Sequence, residues 1–580
     1  MTARRIWDLR RGDADDNRTS PEGGGLRSLV LSAALEFNYL KALIGFLAMI
    51  IAPALLVGIV PSLVFTFGRL KLQAAATAGY TPIIAVITLA VLLGVTLWVG
   101  RPLLSKAIEK FWHLHYTLVF PLFVTFREIL RSIAERLPGQ TAAREQLEKR
   151  RRLGTVLGAL LIAGAGLVVA AGVELSMGLQ VVDVERVRPW AVLRAALGNA
   201  AVVLGLSVCV ESLYWVWREL RFRARVLDWS PDPAQPAATA RVAHLSDPHF
   251  VGERYGYRME AGTHGPRGNG CICAALRKLA GIHASTPLDR VLVTGDLTDA
   301  GTRAEWAEVE DILEGYPDLK ARLSFVPGNH DVNIVDRNNP GHFDLPWSVG
   351  QPLRQFRVVL ALDLFQGDRA HIVDRATGTL GPLLAEYLRE GDRMERLREL
   401  AARGTSRGRR EMDKVWDSIF PLVEPPVDGG YGVMLLNSNA RTHFSLTNAI
   451  GVVSRSQLRA VKSILNGSPH SAWIILLHHQ VVEYPVPSIS LTDRIGLALV
   501  NAPDVLDVIA PHASRCLILH GHRHRHWIGT CGDVVLCSAP SVTLGSQEES
   551  KFRGSFYIHE LAVGDGCIRL AATERVVPVS

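Results

Sequence analysis

Five short motifs in the second half of the chain collect the residue types that hold metal ions and move protons. In order they are Asp247-Pro248-His249, Gly295-Asp296, Gly328-Asn329-His330-Asp331, His478-His479 and Gly521-His522-Arg523-His524. An aspartate can bridge two divalent ions, while imidazoles and further oxygens fill each coordination shell and leave a position for water. Two ions about 3.5–4 Å apart clamp a phosphate, generate hydroxide near neutral pH, and stabilise the attacking and leaving oxygens of an in-line displacement. Mixed Asp, His and Asn donors without thiolate suit Mn, Fe, Zn or Co better than Mg or Ca. Taken singly, Asp-x-His or Gly-Asp is better explained by a turn aspartate. The weight lies in all five motifs together, in this order. Cysteine does not compete for the role. Of seven cysteines only Cys271 and Cys273 sit close together, and C-x-C without a second pair reads as ordinary reduced thiols.

Elements that could position these residues stand directly before them. Each motif ends an apolar, strand-like run: Val242–Leu245, Val291–Thr294, Leu323–Val326, Trp473–Leu477 and Cys516–Leu519. Ligands just beyond strand C-termini converge on one edge of a sheet. Helical stretches alternate with these runs, as expected of an α/β-type domain. An insert at about 333–430 carries no such motif, and the pattern resumes at Val433–Asn439, with a helix beginning near Ser454. Within the insert, Leu383–Ala402 mixes acids and bases on a helical stretch. That stretch reads either as a cap over the site or as a solvated helix pair, since mixed-sign helices mark solvated faces. It lacks the basic and aromatic interleaving of a nucleic-acid surface.

This ordered set resembles the calcineurin-like metallophosphoesterase superfamily, whose pattern is D-x-H, G-D, G-N-H-[D/E], H and G-H-x-H. The resemblance covers residues 241–580. It implies a four-layer αββα sandwich, two mixed β-sheets flanked by helices, around a dinuclear centre of two divalent ions. Position by position it implies that Asp247, His249 and His524 hold one metal. Asn329, His478 and His522 would hold the other, with Asp296 bridging. His330 matches the histidine that contacts the phosphate or protonates the leaving oxygen, and Asn329 lies beside it as a substrate contact. His479 either approaches the phosphate or stands behind the ligands as a structural histidine. Asp299 is placed to hydrogen-bond and orient His330, and a carboxylate there would favour the imidazolium that a general acid needs. Two departures from the protein Ser/Thr phosphatases look more like the class III cyclic-nucleotide phosphodiesterase branch: Ala300 in place of the arginine of G-D-x-x-D-R-G, and Asp331 in place of glutamate. Gln480 and Val481 follow His479, where that branch has His-His-Pro.

The first part of the chain is a different material. Mean hydropathy is +0.17 with 48% hydrophobic residues, which excludes a disordered chain, a collagen-like fibre and a disulfide-stapled mini-protein. The excess gathers in four runs, Leu40–Phe67, Thr81–Gly100, Gly154–Ala171 and Ala195–Trp217. Each reaches the ~18–20 residues that cross a ~30 Å hydrocarbon layer as a helix. Phe111–Phe126 is shorter and carries His113, His115 and Pro121, so it reads as an interfacial or re-entrant helix. Six arginines precede the first run, eleven Lys/Arg lie between Arg101 and Arg152, and Arg218, Arg221, Arg223 and Arg225 follow the last. The two intervening loops hold only Arg69 with Lys71 and Arg186 with Arg188. By the positive-inside rule both termini are cytoplasmic. The first 27 residues read as carrying no signal peptide.

The sequence therefore predicts a tail at 1–37, an all-α transmembrane bundle of about four spans at 38–228 with a basic cytoplasmic loop at 101–153, a Pro-rich linker at 229–240, and a phosphoesterase domain at 241–580. The expected activity is hydrolysis of a phosphodiester or phosphomonoester, with a nucleotide-type diester favoured, by a multi-pass protein of the inner (plasma) membrane whose catalytic domain is cytoplasmic. The alternatives are a phospholipid or lipid-intermediate phosphoesterase at the inner leaflet, a non-catalytic ligand sensor, and a transporter regulated by the soluble domain. The expected partners are a phosphate ester and a lipid bilayer, with no nucleic acid. Much of the net charge of +7 flanks the apolar runs, so it reports orientation.

Overall fold

The computed structural model describes residues 39–47, 73, 77, 123–134, 144–177, 189–221, 226–230, 239–253, 260–262, 265–335, 342–345, 347–427, 430–443, 445–484, 499–543 and 554–578. The chain divides into two compact units, Tyr39–Phe222 and one containing Arg223–Ser580.

In the first unit, the described helices include α1 (Tyr39–Phe46), α2 (Arg144–Met177) and α3 (Pro189–Arg221). Two helices among the described residues, Lys149–Met177 and Leu193–Arg221, are long and apolar enough to cross a membrane by length and composition. They carry the third and fourth expected runs. The second run, the first beyond 47, and residues 111–122 of the interfacial segment lie outside the described residues. Helices α2 and α3 meet through small residues: a Cβ on Gly166 would stand 2.5 Å from the Gly205 carbonyl oxygen. Such close backbone approach is how apolar helices associate where burial from water gives little drive. Leu160, Leu161, Leu167, Val168 and Val210 point outward and stay exposed. Polarity collects at one end. There the helix over 123–134 brings Arg127 and Arg131 to Glu219 near the end of α3, and Arg131 Nε donates to Thr155 Oγ1 at 2.8 Å. The charges sit at the helix ends, where apolar helices tolerate them.

The second unit is a mixed α/β sandwich of two large sheets. Its principal strands are β1 (Val226–Asp228), β2 (Ala240–Leu245), β3 (Arg290–Val293), β4 (Leu323–Phe325), β5 (His371–Val373), β6 (Leu380–Leu383), β7 (Leu422–Glu424), β8 (Tyr431–Leu435), β9 (Ala472–Leu476), β10 (Cys516–His520), β11 (Trp527–Cys531), β12 (Val534–Ser538), β13 (Phe556–Gly564) and β14 (Cys567–Val576). One sheet has five strands in the order β14-β13-β2-β3-β4, the other nine in the order β1-β11-β12-β10-β9-β8-β7-β5-β6. The central strands β9 and β10 run parallel and every residue in them is buried. That is why Ala-Trp-Ile-Ile-Leu and Cys-Leu-Ile-Leu-His read as continuous apolar runs with no alternation. At the other extreme, β14 mixes buried, half-buried and exposed positions. Strands of both sheets contribute to a single core, in which Val242, Leu292, Phe325, Ile474 and Leu519 are buried. Each such side chain contributes roughly 1.5–3 kcal/mol relative to exposure.

The helices are framed by local signals. Helix α4 (Arg303–Glu314) starts at Thr302, whose hydroxyl accepts from Glu305 N while Glu305 Oε2 accepts from Thr302 N, a reciprocal capping box. The insert does not stand apart from this core. Its helix α5 (Gly350–Gln366) buries Leu353, Phe356, Val359 and Leu362, and strands β5 to β7 extend the nine-stranded sheet. Buried Arg357 on α5 donates to the Gly301 carbonyl at 2.8 Å. The mixed-charge stretch packs Leu397 and Leu400 inward and pairs Arg396 with buried Glu411 at 3.1 Å.

Candidate metal centre

Both sheets deliver ligands at their strand ends. Neighbouring β2, β3 and β4, in parallel register through Leu245↔Val293 and Val293↔Phe325, lead into the first three motifs. Parallel β9 and β10, with Leu476 opposite Leu519, lead into the last two. The site therefore straddles two sheets, where strand order in the sequence alone places it on one sheet edge.

Three groups of side chains meet there, one of them His249, Asp299 and His330 and the other two drawn from both sheets. Asp247, His249 and His524 bring one ligand atom each within 4.8 Å of one another, and so do Asp296, His478 and His522. Asp296 lies between them: its Oδ2 is 3.8 Å from His249 Nε2 and 3.4 Å from His478 Nε2. Its other oxygen accepts from His330 N at 2.8 Å. Asn329 Oδ1 is 3.0 Å from His478 Nε2, which puts it in the group of His478 and His522. His478 Nδ1 donates to the Thr294 carbonyl at 2.8 Å, so Nε2 is the nitrogen aimed at the centre.

Orphaned atoms test whether ions fit. Asp247 Oδ1 and His522 Nε2 are buried with no hydrogen bond, a state that costs about 1–3 kcal/mol per group unless something else engages it. His522 Nδ1 stands 3.0 Å from His478 Nε2, and His249 Nε2 stands 3.4 Å from His524 Nε2. Ring nitrogens facing each other at that separation need a proton or a cation between them. The charges point the same way. Burial pushes Asp247 and Asp296 up, but the surrounding histidines more than offset it and hold both carboxyls below their ordinary value. Burial works against a charged His478, yet Asp296 and Asp247 raise it to about 9. Burial also lowers His249 to about 4 and holds His522 well below its ordinary value. Two buried carboxylates thus face His478, which they hold charged, and His249 and His522, which burial keeps neutral. Divalent cations suit this donor set in charge and in chemistry.

The backbone is strained at the same place. Among the described residues, six non-glycines have positive φ, and five of them are Asp247 (50°), His249 (46°), Asp296 (51°), His522 (71°) and His524 (50°). Such conformations cost on the order of 1 kcal/mol or more each and persist where function over-determines them. Motif glycines give the loops room: a Cβ on Gly328 would fall 2.0 Å from Asp296 Oδ1, and one on Gly521 1.7 Å from Ser246 Oγ.

His330, like His524, is half-buried, and its ring packs edge-on against His249 with centroids 4.6 Å apart. Here the structure departs from the sequence-based expectation. His330 Nδ1 donates to the main-chain carbonyl of Asp299 at 2.6 Å, whereas the Asp299 carboxylate lies 3.4 Å from His249 Nδ1. The turn after Asp296 directs the carbonyl and the side chain of Asp299 to different histidines. Asp299 therefore fixes the tautomer of His330 through its carbonyl, and its carboxylate belongs with His249. His479 is fully buried, with Nδ1 2.9 Å from Ser438 Oγ and its ring close to Gly451.

Several further residues support the ligands, and of these the motif reading marked only Asp331. The Asp331 carboxylate accepts from Leu297 N (3.2 Å), Thr298 N (2.9 Å), Thr298 Oγ1 (2.7 Å) and Gly328 N (2.9 Å), tying two ligand loops together. Burial and the nearby Asp296 push Asp331 up to about 6 against those bonds. Ser438 Oγ accepts from His478 N and His479 N at 3.2 and 3.1 Å. Ser541 Oγ donates to the Asp247 carbonyl at 2.8 Å. The fourth residue of Gly-Asn-His-Asp signals Asp331; isolated serines carry no comparable mark.

With this geometry in place, comparison with known proteins adds a family. Residues 240–526 match the model described as calcineurin-like phosphoesterase. Among curated proteins no significant match is found. A dimetal phosphatase from Danio rerio is similar in structure at 17% identity, covering 59% of this chain and 100% of that one, with a TM-score of 0.28. The anchor in the inner membrane complex of Plasmodium is similar at 9% identity, covering 59% and 90%, also with a TM-score of 0.28. Likenesses this distant say nothing of chemistry or location.

Proposed function

We propose, on the premise that residues 240–526 are a calcineurin-like metallophosphoesterase domain and the chain a metal-dependent phosphoester hydrolase, that its substrate is a phosphodiester of nucleotide type. In this reading Asp247, His249 and His524 would hold one divalent ion and Asn329, His478 and His522 a second, with Asp296 placed to reach both. The observation that carries it is the position of Asp296 Oδ2, 3.8 Å from one group and 3.4 Å from the other. What bound divalent ions supply is Lewis-acid charge that draws in the phosphoryl oxygens and makes water nucleophilic near neutral pH.

The chain's own residues do the rest. Asp247 and Asp296 remain ionised and carry the negative charge of the site. His478 presents Nε2 because Nδ1–H is held by Thr294. His330 has its Nδ1–H held by the Asp299 carbonyl, so a proton passed to the leaving oxygen travels from Nε2. Asn329 adds an amide beside it. Burial of His479 supports the structural reading of that residue over phosphate contact.

The diester preference rests on Ala300 and Asp331, which match the class III phosphodiesterase pattern more closely than the Ser/Thr phosphatase pattern. Membrane anchoring is part of the proposal: four spans, cytoplasmic termini and an inner-membrane location, supported by two described apolar helices and the arginine distribution. The same two helices favour a second reading, a lipid phosphoester of the inner leaflet. Full-length protein in bilayers, loaded with Mn²⁺, tests both. Turnover of bis-p-nitrophenyl phosphate above the monoester, with cyclic nucleotides preferred to phosphatidyl esters, is the expected result. Preference for phosphatidyl esters replaces the nucleotide reading with the lipid one. Folded, metal-loaded protein that turns over none of these leaves the ligand-sensor alternative.

A further inference from the structure

Two fully buried histidines, His244 and His559, lie outside every motif, and they are joined to the centre by an unbroken chain of hydrogen bonds. Its links are Thr573 Oγ1 to His559 Nδ1 at 2.8 Å, His559 Nε2 to His244 Nδ1 at 3.2 Å, and His244 Nε2 to Thr294 Oγ1 at 3.1 Å. It continues from Thr294 Oγ1 to Ser246 Oγ at 2.8 Å and from Ser246 Oγ to Asp247 Oδ2 at 2.5 Å. The chain crosses three strands of the five-stranded sheet, β14, β13 and β2, and reaches Thr294 at the end of β3.

The direction of every proton in it follows from the last link. Oδ2 of an ionised carboxylate can only accept, so Ser246 donates to it. Ser246 then accepts from Thr294, whose other acceptor, the Leu245 carbonyl, is farther away at 3.4 Å. Thr294 must in turn accept from His244 Nε2–H. That leaves His244 Nδ1 bare to accept from His559 Nε2–H, and His559 Nδ1 bare to accept from the Thr573 hydroxyl. All five donors point toward Asp247, and hydrogen bonds aligned this way polarise one another. Burial holds His244 well below its ordinary pKa and lowers His559 to about 3. Both rings are therefore neutral, with the single N–H that this scheme requires.

We propose that Thr573, His559, His244, Thr294 and Ser246 form a one-way hydrogen-bond chain that positions Asp247 for its metal ion. It occupies Oδ2, together with His522 N at 3.1 Å. Oδ1 is left buried, without a hydrogen bond and 3.3 Å from His524 Nε2, as the oxygen offered to the ion. His244 and His559 are positioning residues, acting through Asp247. The inference rests on reading Asp247 as a metal ligand.

The test titrates metal-free full-length protein with Mn²⁺, following free Mn²⁺ by electron paramagnetic resonance, and records the melting temperature of each metal-free variant. Ser246→Ala should raise the Mn²⁺ dissociation constant by about 10- to 100-fold, the usual effect of removing a partner that orients a metal ligand. His559→Leu should weaken binding severalfold, while His559→Gln, which keeps an N–H toward His244, should restore most of it. At the far, half-exposed end, Thr573→Val should weaken binding about twofold and Thr573→Ser not at all. If wild-type protein binds no Mn²⁺, the metal-centre reading itself fails. If wild type binds and Asp247→Asn does not, yet Ser246→Ala binds normally, only the chain is overturned. It is also overturned if His559→Leu and His559→Gln weaken binding equally, or if affinity follows melting temperature in place of the retained donor. Should Ser246→Ala not fold, the Thr573 pair decides.

Discussion

The two units of this chain are written in different chemical languages. In the sandwich, meaning is concentrated in single residues: five of its ligand candidates sit at positive φ, carboxylates are buried, and supporting hydroxyls are counted in single hydrogen bonds. In the helical unit meaning is spread over composition. Helices α2 and α3 turn leucine and valine outward and meet through Gly166 and Gly205. A site that holds charge out of water needs every partner specified, because an unpaired buried polar group costs more than a paired one contributes. A helix pair suited to lipid needs only length, apolarity and a close approach. Single substitutions should therefore be severe and chemically selective in the sandwich, and mild and chemically silent in the helical unit.

The largest contrast is expected at the bridge. Asp296→Ala should lower kcat/KM on a soluble diester on the order of a thousandfold, the scale of removing one preorganised charge-stabilising group. Metal content measured on the same sample should fall too. Retention of activity would erase the distinction between the two units at its centre. Next comes Asp331→Asn. The carboxylate accepts four hydrogen bonds from two loops, and an amide would turn an NH₂ toward donors. A stability loss of about 2–3 kcal/mol is expected, read as a lower denaturation midpoint with the metal absent.

How much of this was visible beforehand divides along the same line. Trp473–Leu477 and Cys516–Leu519 read as strands because both their faces are buried, and the motif after each strand follows from that. The ligand motifs were legible, but their meeting across two sheets was not, because strand order along the chain alone places them on one sheet edge. Nor was the orientation of Asp299. Its distance from His330 along the chain is the same whether the carbonyl or the carboxylate does the bonding, and the turn decides. His559 stood still further out of reach: it lies 315 residues from His244, and only the pairing of β13 with β2 brings them together.

Gly166→Leu probes the other side of the comparison. A Cβ there would stand 2.5 Å from the Gly205 carbonyl, so the helices must separate, at about 1–3 kcal/mol for overpacking. The helical unit should melt earlier in detergent, while kcat/KM on a soluble diester stays at the wild-type value. A matching loss of kcat/KM would mean that the helices act on the site, and the two units could no longer be treated as separate in chemistry.

The smallest expected effect is a change of slope. His559 is buried and lowered to about 3, against an ordinary value near 6.5. Between those values the unfolded chain binds a proton that the folded chain refuses, so stability rises with pH and is lost as pH falls below about 6.5. One such histidine contributes up to about 1.4 kcal/mol per pH unit. Asp331, raised to about 6, works in the opposite direction between its ordinary value and 6, so absolute melting curves mix the two signs. The difference between wild type and His559→Gln isolates the histidine. In metal-free protein that difference should shift in favour of the glutamine variant by about 1 kcal/mol from pH 6.5 to 5.5. Parallel curves would mean that His559 takes up its proton in the folded state without cost. The sandwich would then tolerate an unplanned charge as readily as the ends of the apolar helices do.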